Sequence, residues 1–216
     1  CWLELALLGC PMAWLLAPLY DSIMAGTERS CLGWWRRDLL AEARGDILEI
    51  GAGTGINLQY YPEGIGRLVL LEPDPGMRRQ LASKAELIST SELCESSSES
   101  LPFEDGSFDT VVSTLVLCTT PNPEQSLKEI RRVLRPGGQL IFIEHVLDQY
   151  SDGYAKWQRF VEPLWKRCAG GCHLTRDTEQ ALVEAGFELT QIARERMRKS
   201  LPLIAPTIRG CATVPS

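Results

Sequence analysis

The residues best suited to do chemistry are Glu49, Gly51, Gly53 and Gly55, in the run Ile47-Leu48-Glu49-Ile50-Gly51-Ala52-Gly53-Thr54-Gly55. Glycines at alternate positions remove every Cβ from a tight turn and permit positive φ. Backbone amides there lie open to a polar or anionic ligand group, and the start of a following helix would add its own. Ile47, Leu48 and Ile50 form the apolar strand that must deliver this turn. The carboxyl end of the first strand of a doubly wound sheet is where such folds bind cofactors. The spacing disfavours a dinucleotide. The sixth position of G-x-G-x-x-G would be Ile56 counted from Gly51, or Leu58 counted from Gly53, where Gly or Ala is needed.

Further ligand partners follow in order. The apolar run Leu68–Leu71 ends at Glu72, about twenty residues beyond the turn, where a carboxylate can accept both hydroxyls of a ribose. Pro73, Asp74 and Pro75 stop that strand, and Met77 is placed to pack on an adenine face. A third block runs Ser98-Glu99-Ser100-Leu101-Pro102-Phe103-Glu104-Asp105-Gly106-Ser107-Phe108-Asp109. The strand Thr110–Cys118 comes next, with Leu115 near its end. Asn122 reads as a helix N-cap, Pro123 as the first helical residue and Gln125 as the capping-box partner. Leu127, Ile130 and Leu134 form that helix's apolar stripe. Lys128, Arg131, Arg132 and Arg135 suit its C-terminal half and read as a solvated face. Pro136-Gly137-Gly138 ends the helix before the strand Leu140–Ile143.

These motifs carry a resemblance. Glu49 to Gly55 resembles motif I of the class I S-adenosylmethionine-dependent methyltransferases. Ser98 to Asp109 is similar to the A-E-x-L-P-F-x-D-x-S-F-D stretch of their methyltransferase type 11 group, and Arg132 to Gly138 matches the group's R-V-L-R-P-G-G. Closer details are Leu115 to Cys118, Glu144-His145-Val146, Trp157-Gln158, Glu162 to Trp165 and Gly171 to Arg176. They resemble methyltransferase-like protein 7 and its bacterial relatives. The resemblance covers about residues 20 to 214.

It implies an α/β Rossmann-like fold, with a seven-stranded, mostly parallel sheet flanked by helices. Five strands are expected near Ile47, Leu68, Leu93, Thr110 and Leu140, and an edge hairpin near Leu189 and Thr207. It implies S-adenosylmethionine at Glu49, Gly51, Gly53, Gly55, Asn57, Glu72, Pro73, Met77 and Leu115, with Ser98 and Glu99 at the adenine. The group's Asp before the small residue is Ser97 here, which leaves a backbone contact at Ser98. The implied reaction is methyl transfer to a small alkyl thiol. The family carries an N-terminal hydrophobic anchor and is described at the endoplasmic reticulum and lipid droplets. Quinone-ring and phosphatidylethanolamine methyltransferases share the same cofactor motifs, so a lipid acceptor stays open. So does an inactive cofactor-binding module that docks on a membrane. A nucleotide-sugar or NAD enzyme is a third reading, and Ile56 counts against the NAD version.

Methyl transfer from a sulfonium is an in-line displacement, which needs positioning and exclusion of water. A base helps only when the acceptor starts protonated. His145 and His173 are the candidate bases. Tyr20, Asp21 and Arg176 are candidate substrate contacts, and Cys118 sits near the expected methyl position. Trp157, Phe160 and Trp165 suit an acceptor pocket, an interfacial face or the core. The loop Thr119-Thr120-Pro121-Asn122-Pro123 stands where amino-methylating nucleic-acid enzymes carry N-P-P-Y.

The length of 216 residues fits one domain, and a net charge of −6 argues against nucleic acid as a partner. The patch Ser89–Ser100 is rich in Ser and Glu. Eight cysteines are scattered, several in apolar runs, and read as reduced thiols. Cys168 and Cys172 with His173 lack a second ligand pair, so no metal is expected. Residues 1–24 form an apolar segment ahead of a methyltransferase domain at 25–216. Its uncharged stretch is shorter than the roughly twenty residues a spanning helix needs, and Pro11 and Pro18 interrupt it. It has no basic region or cleavage site of a secretory signal. A monotopic membrane anchor and a helix covering the active site are both compatible. The expected place is the cytoplasm or a cytosol-facing membrane, with peripheral contact through this segment.

Overall fold

The computed structural model describes residue 22, residues 24–86 and residues 91–215. Most of the expected apolar segment at 1–24 lies outside the described residues, with Tyr20 and Asp21; so does the side chain of Cys168.

Seven strands form one sheet: β1 (Ile47–Ile50), β2 (Leu68–Leu71), β3 (Ser91–Cys94), β4 (Phe108–Thr114), β5 (Leu134–His145), β6 (Glu188–Arg196) and β7 (Pro206–Thr213). Their spatial order is β3-β2-β1-β4-β5-β7-β6. The first five are parallel, and β7 pairs antiparallel with both β5 and β6. The strand order reverses between β1 and β4, which makes the carboxyl ends of those strands the crevice of the fold.

The longer helices among the described residues include α1 (Gly33–Leu40), α2 (Pro75–Ala85), α3 (Pro123–Val133), α4 (Asp152–Cys168) and α5 (Thr178–Glu184). The central strands are apolar on both faces because both are covered. Alternation divides them between two cores. Leu48, Ile50, Val69, Leu71, Val111, Leu140 and Phe142 join one, with Leu127 and Ile130 of α3. Ile47, Leu68, Leu70, Val112, Ile141 and Ile143 join the other, with Trp35 and Leu39 of α1. Glu49 points to the second face and needs polar partners there.

Four local readings differ from the structure. The glycine turn leads only to a short 3-10 turn, Ile56–Tyr60. Asn57 is drawn fully into the interior there, and Pro62 follows. β5 starts at Leu134 and carries Pro136-Gly137-Gly138 within it. Leu134 pairs with Phe108, while Gly137 N donates to Val214 O and Val214 N to Gly138 O. Asn122 caps α3 as expected, accepting from Gln125 N at 3.0 Å, but the Gln125 amide nitrogen reaches Glu99 O at 3.4 Å. The Asn122 backbone N–H donates to Glu99 Oε1 at 3.3 Å. Arg132 is more than a solvated residue: its guanidinium donates to Leu101 O and Phe103 O and holds the L-P-F segment against α3.

Candidate active site

The glycine turn leaves β1 at the strand-order reversal. Gly51, Gly53 and Gly55 have φ of +58°, +58° and +80°. A Cβ on Gly51 would lie 2.5 Å from Val116 Cγ2, so that glycine admits the chain beyond β4. A Cβ on Gly53 would meet nothing closer than Gly51 O at 3.9 Å. Space beside backbone is what a bound cofactor requires. Glu72, at the end of β2, closes this cradle. Its Oε2 accepts from Gly53 N and its Oε1 from Asp74 N, both at 2.8 Å. Each oxygen retains a lone pair, so a ribose diol fits the carboxylate. Burial pushes the Glu72 pKa up, and the two amides partly offset this.

Glu49 is enclosed. Tyr61 Oη donates to its Oε2 and Asn57 Nδ2 to its Oε1, both at 2.8 Å. Arg36 of α1 donates to Asn57 Oδ1 at 2.6 Å and to Thr114 Oγ1 at 3.0 Å, and pairs with Glu28 at 3.2 Å. Glu49 and Asn57 therefore brace the turn from beneath. Burial raises the Glu49 pKa from the ordinary 4.5 to about 7, against the hydrogen bonds of Tyr61 and Asn57. A raised carboxyl pKa favours the protonated fold. Its contribution is full below the unfolded value and is lost as pH rises through the folded one. Stability is expected to fall by about 3 kcal/mol between pH 4.5 and 7 from this group. Urea melts across that window, compared with Glu49→Gln, test it; an unchanged slope in the variant would refute the assignment.

The remaining expected contacts lie on the segments that follow β2, β3 and β4. Pro73 is exposed and Met77 half-buried, with Met77 N donating to the α2 cap Asp74 at 2.7 Å. Leu115 has φ +62°, an uncommon conformation for leucine, and its N–H donates to Ile143 O at 2.7 Å. Ser98 Oγ hydrogen-bonds Ser126 Oγ at 2.8 Å and Thr120 Oγ1 at 3.3 Å. Burial pushes the Glu99 carboxyl up, but hydrogen bonds from Thr120, Ser97 and Asn122 outweigh it and hold the pKa below its usual value.

Two groups hold the loop after β4, and the sequence reading gave neither of them that role. Glu144, fully buried, accepts from Ser113 Oγ at 2.7 Å, Val116 N at 3.2 Å and Cys118 N at 3.0 Å. It fixes the loop after β4. A lone acid inside an apolar strand was the available signal. Arg176, singled out as a substrate contact, donates to Leu117 O and Thr120 O and clamps that loop from the other side.

The two histidines lie near each other but face different surroundings. His145 is buried, with Nδ1 between Cys118 Sγ and Cys172 Sγ. His173 lines a cavity of about 650 Å³ with Thr119, Pro121, Glu162, Pro163 and Thr175. Its Nδ1 lies 3.0 Å from Glu162 Oε1. Burial lowers its pKa, helped by the positive Arg176 and Lys166 and opposed by Glu162. Trp157 and Phe160 stand on the exposed side of α4, outside the core. Gln158 on the opposite side ties α4 down, accepting from Asp148 N at 2.8 Å and donating to Leu203 O at 2.9 Å.

Comparison with known proteins agrees with this fold. The methyltransferase-domain family matches residues 48–142, from β1 through most of β5. Human thiol S-methyltransferase TMT1B is 34% identical over 222 residues, covering 96% of this chain and 91% of that protein. Human thiol S-methyltransferase TMT1A is 33% identical, covering 90% of this chain and 81% of that protein. The crystal structure of a putative methyltransferase from Bacillus halodurans matches with a TM-score of 0.67 at 18% identity, covering 87% of this chain and all (100%) of that one, a likeness of fold alone. The cofactor is S-adenosylmethionine, the activity is methyl transfer, and the chain belongs to the thiol S-methyltransferase family of class I S-adenosylmethionine-dependent methyltransferases.

Proposed function

We propose that the chain methylates the sulfur of small thiols and that His173 takes the thiol proton. The His173–Glu162 pair on the wall of the 650 Å³ cavity carries this reading. The names of the two human relatives support the thiol. S-adenosylmethionine supplies a methyl group on a sulfonium and leaves as S-adenosylhomocysteine. The carboxylate of Glu162 holds His173 in the tautomer with the proton on Nδ1, which leaves Nε2 as the acceptor. A lowered pKa keeps the ring neutral at pH 7. Nε2 takes the proton as the S–H bond breaks and the new S–C bond forms. A thiolate is a strong nucleophile, so this help is modest.

The test is S-adenosylhomocysteine formation with small alkyl thiols and lipid-extract acceptors side by side. Turnover on thiols is expected. His173→Ala is expected to lower kcat/KM about 10- to 100-fold at pH 7. The loss should shrink as pH passes the thiol pKa, where the acceptor arrives already ionised. Turnover on lipid alone, or a pH-independent deficit, would contradict the reading.

We further infer peripheral contact with a cytosol-facing membrane through α4. Trp157, Phe160 and Leu164 form one exposed stripe, Phe160 at 83% exposure, beside Lys156, Arg159 and Arg167. Such a face suits an anionic lipid interface. None of the described helices is long and apolar enough to cross a membrane. The full chain should sediment with anionic vesicles, and Phe160→Asp with Leu164→Asp should weaken this about tenfold; equal binding by the variant rejects the contact.

A further inference from the structure

Cys118, His145 and Cys172 come from the loop after β4, the end of β5 and the loop between α4 and α5. Cys118 Sγ lies 3.7 Å from His145 Nδ1 and 4.0 Å from Cys172 Sγ; Cys172 Sγ lies 3.6 Å from His145 Nδ1. All three side chains are buried. A zinc ion has bonds of about 2.3 Å to sulfur and 2.0–2.1 Å to nitrogen. At trigonal to tetrahedral angles these give sulfur–sulfur separations of about 3.8–4.0 Å and sulfur–nitrogen separations of about 3.6–3.8 Å. The triangle has the dimensions of a metal site.

We infer that Cys118 Sγ, Cys172 Sγ and His145 Nδ1 form a binding site for a thiophilic divalent cation of the Zn2+ class. Both polar contacts of the ring are made by Nδ1 and both are to sulfur; with Nδ1 on the ion the ring proton sits on Nε2, which is buried without a hydrogen-bond partner among the described residues. Soft thiolates with one imidazole select zinc-like ions over the hard cations that prefer oxygen. Binding displaces one proton from each thiol, with no redox change. The cation and two thiolates sum to zero charge, so the filled site is neutral where a bare thiolate would be costly to bury.

The surroundings hold the ligands in place. Cys118 is fixed on both sides: its N–H donates to Glu144 Oε2 at 3.0 Å, and its carbonyl accepts from His173 N at 2.8 Å. Thr119, Gly171 and His173, chain neighbours of the two cysteines, line the cavity, which offers an entry path. Three protein ligands leave a fourth position for water or another donor. The site joins three segments that meet only in the fold, so metal there would also tie the α4–α5 loop to the sheet. It replaces the expectation that Cys172 lacks metal-binding partners.

The test uses the full chain, reduced, stripped with chelator and titrated with Co2+ and then Zn2+. A single equivalent of Co2+ is expected to give thiolate-to-cobalt charge-transfer bands that Zn2+ abolishes, with up to about two protons released per ion at neutral pH and fewer as alkali ionises the thiols beforehand. Cys118→Ser and Cys172→Ser should each abolish the bands, and Cys94→Ser, on the edge strand, should retain them. His145→Ala should weaken binding at least about 10- to 100-fold, the loss that follows removal even of an outer-shell partner. Retained affinity for S-adenosylhomocysteine in each variant reports an intact fold. Absence of the bands in the reduced chain, or their survival in Cys118→Ser, overturns the inference. Turnover of thiols by metal-free protein would leave the methyl-transfer reading standing, so the two fail separately.

Discussion

Gly53→Arg is expected to weaken binding of S-adenosylmethionine and S-adenosylhomocysteine by at least about a hundredfold while the protein stays folded. The reason is the difference between Gly53 and its neighbours. All three turn glycines have positive φ. A side chain in that conformation costs about 1–2 kcal/mol. Gly51 and Gly55 carry a second penalty, because a Cβ would fall 2.5 Å from Val116 and 2.8 Å from Leu81. Substitution there forces the neighbouring side chains to shift. At Gly53 a Cβ meets open space, with only Gly51 O at 3.9 Å. The arginine therefore occupies the cradle itself, beside the amide that Glu72 holds. Calorimetric titration with S-adenosylhomocysteine, paired with thermal melts, separates the outcomes. A melting temperature lowered by a few degrees with binding lost supports the placement. Unchanged affinity would show that the cofactor lies elsewhere. Gly51→Ala should reverse the pattern, losing more stability than Gly53→Arg.

That contrast also marks what was legible in the sequence. The strand, the turn and Glu72 are local features, and their spacing placed them correctly along the chain. Four of the five parallel strands were visible as apolar runs; β3, Ser91-Glu92-Leu93-Cys94, is not one and was expected near Leu93 only from the resemblance. The early start of β5 was not, because Leu134 to Gly138 are held by Phe108 and by Val214 near the far end of the chain. The short 3-10 turn after Gly55 was not legible either. Residues beyond glycine turns of this kind often open a helix, but here Asn57 is claimed by Glu49 and Arg36 from below. The same physics hid Glu144: its three donors arrive from residues about thirty positions away. Side chains assembled across the sheet leave no period in the sequence. Cys118, His145 and Cys172 are the extreme case, since they lie far apart in sequence and no spacing links the three.

Glu72→Ala is expected to reduce cofactor affinity about 10²- to 10⁴-fold. Two charge-assisted hydrogen bonds to ribose hydroxyls are each worth about 1.5–3 kcal/mol. The side chain also holds Gly53 N and Asp74 N. Its loss thus acts both on the ligand and on the shape of the turn. A deoxyribose analogue distinguishes these effects. If the carboxylate reads the diol, removing one ribose hydroxyl weakens binding to the parent protein but has little further effect on Glu72→Ala. Equal losses in both would mean that Glu72 only shapes the turn. Acid pH offers a second check. Burial raises the Glu72 pKa, so the acceptor oxygens are lost at a higher pH than for an ordinary glutamate. Affinity should fall on acidification through that raised value, and Glu72→Ala should lack this acid limb. Together the analogue and the pH profile test the chemical role of the carboxylate, which affinity alone does not separate from the integrity of the turn.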